Sequence, residues 1–402
     1  MPCRIEDYGL IGDCETAALV GRNGSIDWLC WPAFDSDACF AALLGTDRNG
    51  RWLISPAEEV TKSARRYWDN TLILETRFET ANGVVALIDF MPPRGKASDI
   101  VRLVRGVTGK VKLQMQLVIR FGFGIDIPWV KRTEDGALLA IAGPNMTVLR
   151  TPVETRGEDL TTVASFEVSE GETVPFVLTY GPSHLPLPAA INPAQALQDT
   201  ENFWTEWCSH CTYEGDNRDL VMRSLITLKA LTYGPSGGIV AAPTTSLPEK
   251  LGGTRNWDYR FCWLRDATFT LLALMNSGYT EEALAWHNWL LRAAAGWPAN
   301  MQIMYGLWAS GACWNGRPTG CWVTKARGRF GSAMPRTPSC SSMSTANWST
   351  RFISGGWQRS SSTKALGHWN ARCCSTWRKY GTSRITASGS GAVRASTMSR
   401  RK

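Results

Sequence analysis

Two apolar runs, residues 71–78 and 84–90, meet across Asn82-Gly83. An Asn-Gly pair suits the left-handed positions of a tight turn, so the runs are expected to pair as antiparallel neighbours. Such pairing fixes a register, and the register decides which side chains turn inward. The same grammar fills the first 180 or so residues. Residues 5–13, 16–20 and 26–30 are short apolar runs, the last two joined by a hairpin signal at Arg22-Asn23-Gly24-Ser25. Residues 110–118 alternate with period two, giving one wet and one buried face. Residues 138–141, 161–168 and 174–180 add further strands. Many short strands between turn signals argue for a β-sandwich over residues 1–185.

The texture changes at Pro182-Ser183-His184-Leu185-Pro186-Leu187-Pro188, which opens a linker, and residues 186–218 are expected to hold that linker and a helix begun by Asn192. Beyond residue 219, Val221, Leu225 and Leu228 share one helical face until Gly234-Pro235-Ser236-Gly237-Gly238 ends the pattern. Two more helices are predicted, residues 267–276 ended by Gly278, and residues 281–295 capped by Thr280 and ended by Gly296. Glu281 and Glu282 fall in a first turn, where the helix dipole favours acids. His287, between Trp286 and Trp289, reads as a packed or surface histidine.

Between the last Gly-rich loop and the 267–276 helix, residues 252–266 bring together four aromatic rings, three arginines and two aspartates. A core element does not need that mixture, because buried charges are costly unless paired. A site for a neutral, hydroxyl-rich ligand does: aromatic faces cover the C–H surface of a sugar and charged forks grip its hydroxyls. The candidate substrate-binding residues are Trp257, Asp258, Arg260, Trp263, Arg265 and Asp266. Asp258 and Arg260 serve equally well as a structural pair. Arg265-Asp266 also has a plainer reading, as a charge pair at a helix start.

Trp263-x-Arg265-Asp266 resembles the W-x-R-D signature of the glucoamylase and trehalase-like glycoside hydrolases of family 15, whose Arg-Asp pair holds the glucose unit at the cleavage point. The run from Ile5 through Asp27-Trp28 to Phe34-Asp35-Ser36 resembles the opening of the N-terminal domain of bacterial trehalase-like members. The resemblance implies a multi-domain β + α chain: a β super-sandwich, then an (α/α)6 barrel, begun here over residues 219–308 and left incomplete. It implies an inverting α-glucosidase acting on trehalose or a short α-glucan, with a general acid and a general base roughly 6.5–9.5 Å apart. A non-catalytic carbohydrate- or partner-binding protein is the alternative.

Residues 309–402 break the pattern. They hold 16 of the chain's 43 lysines and arginines and no acid, leaving 27 basic against 35 acidic residues before them. The net charge of +8 therefore belongs to an acidic protein with an aberrant basic tail, which is expected to be disordered. Reading each codon from the last base of one residue and the first two of the next explains the tail as a frame change near Trp308. The shifted frame permits G-E-R-R-L-L-E from Trp308, with a forced glutamate at Trp314/Asn315. It permits G-Y-E-G-S-R-P-V-R-I-G-N-A-A across residues 322–336 and Q-L-Q-L-D-V-Y-G-E-L across residues 338–348. These strings resemble successive family motifs in order. The glutamate of D-V-Y-G-E, the general acid by resemblance, is then split across Ala346 and Asn347, and the base is expected beyond the chain end. With both catalytic glutamates lost, this polypeptide is expected to be inactive. A polyanion-binding tail is the competing explanation.

The 12 cysteines are scattered, and Cys208-Ser209-His210-Cys211 lacks a second pair at zinc-ligand spacing. No metal site or phosphate loop is visible, so no cofactor is inferred. No signal core or long apolar run occurs. A cytoplasmic location is expected, with an α-glucoside as partner and neither nucleic acid nor membrane.

Overall fold

A strand of 21 residues belongs to both layers of the fold. The computed structural model describes residues 3–246, 256–295 and 301–310, all within the unit Met1–Met343. Ahead of the long strand come β1 (Tyr8–Gly12), β2 (Ala17–Gly21), β3 (Ser25–Cys30), β4 (Ala38–Phe40), β5 (Arg51–Pro56), β6 (Lys62–Tyr67), β7 (Leu74–Thr80) and β8 (Gly83–Phe90). The long strand is β9 (Ser98–Val118). After it follow β10 (Trp129–Arg132), β11 (Leu138–Ala142), β12 (Asn145–Arg150), β13 (Arg156–Glu158), β14 (Thr161–Ser169) and β15 (Thr173–Pro182).

The second half of β9 lies between β5 and β14, in a layer ordered β1-β2-β3-β5-β9-β14-β13. Its first half lies between β8 and β15, in a layer ordered β6-β7-β8-β9-β15-β12-β11-β10. The strand changes layer around Gly109, whose φ of +68° suits glycine, and a Cβ there would come within 2.2 Å of the Asn82 carbonyl. A register shift in β8 between Val84 and Val85 marks the same corner, as strands that switch sheets require. Between the layers lies one apolar core, with Ile26, Trp52, Val111 and Met115 from one side and Leu87, Val104, Phe176 and Leu178 from the other.

The expected 71–90 hairpin forms, but its turn sits one residue early: Thr80 faces Gly83, so Ala81 and Asn82 make the loop. The alternation of residues 110–118 holds, with Val111, Leu113, Met115 and Leu117 buried.

Helix α1 (Pro193–Ser209) starts as expected, with Asn192 Oδ1 accepting from the Ala194 and Gln195 amides at 3.0 and 3.2 Å. Ala196 packs on the outer face of the second layer against Ile73, Phe90 and Val101. Helix α2 (Arg218–Ala230) buries Met222, Leu225 and Ile226 against Trp204 and Trp207 of α1. Two-residue strands follow, β16 (Thr232–Tyr233) paired with β17 (Gly238–Ile239). Then β18 (Cys262–Trp263) leads into α3 (Leu264–Asn276) and α4 (Thr280–Ala293), and β19 (Met304–Tyr305) returns to pair with β18.

Two expectations change here. Thr280 is the first residue of α4 and not its cap; Tyr279 is the cap and makes no side-chain cap bond. Glu282 is more than a dipole-favoured acid: it is buried, accepting from Trp207 Nε1 at 2.7 Å and Lys229 Nζ at 2.9 Å. Together these contacts dock α1, α2 and α4 as one body. Cys14 and Leu72 of the sandwich join the same apolar cluster, so the helical segment is partly covered. Phe269, Leu284 and Leu291 remain more than half exposed. Among the described residues, no helix is long and apolar enough to cross a membrane.

Candidate substrate-binding site

The signature stretch is held by backbone bonds before any side chain is considered. Ala242 donates to the Tyr259 carbonyl at 2.9 Å, Tyr259 to Thr244 at 3.1 Å, and Ser246 to Trp257 at 2.7 Å. Residues 241–246 and 257–261 thus run side by side, and Thr245 and Asp258 form a bridge. On this ladder side chains turn alternately in and out, so Asp258, Arg260 and Cys262 are buried while Trp257, Tyr259 and Trp263 are half-buried.

The outward set is aromatic. Trp263 meets Trp257 edge-on at 6.1 Å and Tyr259 edge-on at 5.6 Å. Trp263 Nε1 donates to the Asp258 carbonyl at 2.9 Å, which fixes the indole plane. Tyr259 was not singled out from sequence, although it lies four residues before Trp263 in the same run. Beside this cluster α3 begins at Leu264, placing Arg265 and Asp266 in its first turn. Arg265 is exposed and reaches Asp266 at 3.4 Å, a long and loose pair. Both side chains therefore keep donors and acceptors open to solvent. A half-open aromatic wall beside a loosely paired cation and carboxylate can stack on a sugar and grip its hydroxyls.

The inward set is different in kind. Asp258 takes Arg260 Nε at 3.0 Å on one oxygen and Nη2 at 2.7 Å on the other. Arg260 Nη1 donates to the Ser36 carbonyl at 2.7 Å and to Cys30 Sγ at 3.4 Å. Its guanidinium lies 5.1 Å from the Phe123 ring centre. Burial opposes the charge on Arg260, but the Asp258 carboxylate outweighs it and holds the guanidinium pKa above its ordinary value. Of the two readings open for Asp258 and Arg260, the geometry is that of a structural pair.

Asp35 also comes to this region from the N-terminal run, its carboxylate accepting from the Leu307 amide at 3.4 Å. Burial raises its pKa more than that bond and the Arg260 charge lower it. Its place beside β19 lay beyond sequence reading, which had no way to pair residues so far apart. His287 is half-buried between Trp286 and Trp289, as expected. Cys208 and Cys211 are both free, and burial pushes the Cys208 thiol up to about 11. Residues 252–255 of the stretch and the Ala346/Asn347 junction lie outside the described residues.

The family described as "Trehalase-like, N-terminal" matches residues 1–204, just over half of the chain, and "Glycosyl hydrolases family 15" matches residues 215–311. A trehalase of Thermoplasma volcanium is 33% identical over 288 residues, covering 70% of this chain and 46% of that protein. A trehalase of Thermoplasma acidophilum is 35% identical, covering 66% of this chain and 47% of that protein. A trehalase of Mycolicibacterium smegmatis is 33% identical, covering 75% and 50%. The chain thus spans about half the length of the curated relatives it matches. A crystal structure of a bacterial glucoamylase complexed with acarbose superposes with a TM-score of 0.52 at 13% identity, covering 77% of this chain and 53% of that one, a likeness of fold. With one of these family descriptions covering just over half of it, the chain belongs to the trehalase-like members of glycoside hydrolase family 15.

Proposed function

We propose that the lineage of this chain hydrolyses a terminal α-glucosidic bond, in trehalose or a short α-glucan, with inversion, and that Trp257, Trp263, Arg265 and Asp266 hold the glucose unit. Asp258 and Arg260 support that set from behind. The observation that carries the reading is the half-open aromatic wall at the head of α3, set beside the loosely paired Arg265 and Asp266. The trehalase relatives incline the substrate toward trehalose. Helices α2, α3 and α4 are read as the beginning of an (α/α)6 barrel over residues 219–308, following a sandwich of residues 1–185 and a linker and helix over residues 186–218.

In this reading the 402-residue polypeptide binds an α-glucoside without hydrolysing it. Inversion needs two carboxyls, one to protonate the leaving oxygen and one to activate water. Residues 309–402 contain neither aspartate nor glutamate, and the frame change near Trp308 splits the expected general acid across Ala346 and Asn347. Asp266 is a poor replacement, because a carboxylate beside Arg265 in a first helical turn is suited to accepting hydrogen bonds. The test is glucose release from trehalose and maltose by the purified chain, beside a gene with one base restored at the Trp308 codon. Release by the 402-residue chain would overturn the inactivity. Failure of the restored gene product to release glucose would overturn the assignment of the reaction.

A further inference from the structure

The sandwich builds a socket for one side chain of the signature stretch. Its parts come from three places: Cys30 at the end of β3, the Ser36 carbonyl in the following turn, and Phe123 in the loop after β9. Phe123 has a φ of +60°, a left-handed conformation costly for a bulky side chain, and is flanked by Gly122 at +60° and Gly124 at +96°. Its amide donates to the Ala38 carbonyl at 3.1 Å, holding that conformation. Trp28 stands 6.3 Å from Phe123 and donates its Nε1 proton across to the Pro243 carbonyl at 2.7 Å. The sandwich therefore grips both strands of the ladder that carries Trp257 and Tyr259: residues 241–246 through Trp28, and residues 257–261 through Arg260.

Arg260 is 5% exposed, and its Nε and both terminal nitrogens are engaged. A planar fork that bonds Asp258 on one edge and Ser36 on the other fixes distance and angle together, which a lysine cannot do. The aromatic wall sits on the opposite face of the same short ladder, with Tyr259 next to Arg260 and Trp257 and Trp263 three residues to either side. Any tilt of Arg260 is transmitted through a single peptide unit to Tyr259 and, through the Asp258 carbonyl, to the Trp263 indole.

We propose that Arg260 is a positioning residue through which the sandwich, by way of Phe123 and Ser36, sets the orientation of the sugar-binding wall formed by Trp257, Tyr259 and Trp263. The sandwich is then a working part of the binding site. This rests on the sugar-binding reading of that wall, so the experiment reads backbone order as well as affinity.

Trehalose binding by the 402-residue chain is measured calorimetrically for R260K, Phe123→Leu and Phe123→Tyr, with hydrogen exchange of the segment 257–263 followed in the same proteins. R260K keeps the charge and loses the fork, and Phe123→Leu alters only the sandwich side. Both are expected to weaken binding by about tenfold or more. Both should also speed exchange at the Tyr259 and Arg260 amides, while β14 exchanges as before. Phe123→Tyr keeps the ring and should restore both readouts. Loss of affinity in R260K with an unchanged Phe123→Leu would make Arg260 a direct ligand contact and overturn the proposal, as would unchanged exchange in both. If R260K loosens β14 as well, the contrast between Phe123→Leu and Phe123→Tyr decides. If the parent chain binds no trehalose, the sugar reading fails separately, and the exchange comparison still decides whether the sandwich orders the wall.

Discussion

Arg102 and Asp89 face each other across β9 and β8 with no solvent on either side chain, joined at 2.7 and 3.3 Å. The remaining donors of Arg102 reach the carbonyls of Trp52 and Gly24, at 2.7 Å each, so the pair ties the second layer to the first. Complete burial raises the Asp89 pKa against the pull of Arg102. Removing one charge strands the other. R102M is therefore expected to cost about 3–5 kcal/mol, and the double change R102M/D89L markedly less. Urea midpoints of the three proteins check this; a double variant less stable than R102M would contradict it.

Glu282 makes helix docking sensitive to acid. Burial alone would push its carboxyl up, but the charge of Lys229 and hydrogen bonds from Lys229 and Trp207 outweigh it and hold the pKa below 4.5. A carboxyl depressed on folding stabilises above its unfolded value and loses that contribution as pH falls through the folded one. E282Q should cost about 1–3 kcal/mol at neutral pH. The gap from the parent chain should narrow as pH falls below about 4.5. Thermal melts from pH 3 to 7 report it, and a gap that widens in acid would contradict it.

Asp35 should behave in the opposite sense. Its carboxyl is raised, chiefly by burial, so its contribution is favourable below the unfolded value near 3.8 and is lost as pH rises through the folded one. At neutral pH the charged form is a burden, and Asp35→Asn, which keeps an acceptor for the Leu307 amide, should match or exceed the parent in melting temperature. That advantage should fade toward pH 3. A variant clearly less stable at pH 7 would show that the charge has a partner worth more than its desolvation.

Arg265 and Asp266 should separate binding from stability. With a 3.4 Å contact and a mostly exposed arginine, Arg265→Ala is expected to change stability by less than about 1 kcal/mol. The same change, and Asp266→Asn, should abolish measurable trehalose binding. Paired melts and titrations decide it, and a variant that binds normally would remove these residues from the site.

The parts of the fold legible in sequence are those where one periodicity dominates. Residues 110–118 alternate because one face meets the core, and Asn192 announces α1 because its side chain fills the place of a missing backbone acceptor. β6 escaped notice because its Lys62, Arg65 and Arg66 look like a solvated loop, as residues of a strand facing solvent do. The first half of β9 escaped because Arg102 interrupts its apolar run, and only the opposed Asp89 explains a charge there. At the site, residue types alone point to the sugar-binding chemistry proposed here but leave the roles of Asp258 and Arg260 open. Both roles use the same side chains; the Ser36 carbonyl and the Phe123 ring, more than a hundred positions away, distinguish them.

Because β9 runs through both layers, neither sheet can dissolve while the other stays whole. A probe in one layer should therefore melt in step with a probe in the other, and a nick near Gly109 should let the two transitions separate. Such a sandwich has no half-open form in which to wait, so a newly made chain stays vulnerable until Val118 has left the ribosome and β14 and β15 have followed it.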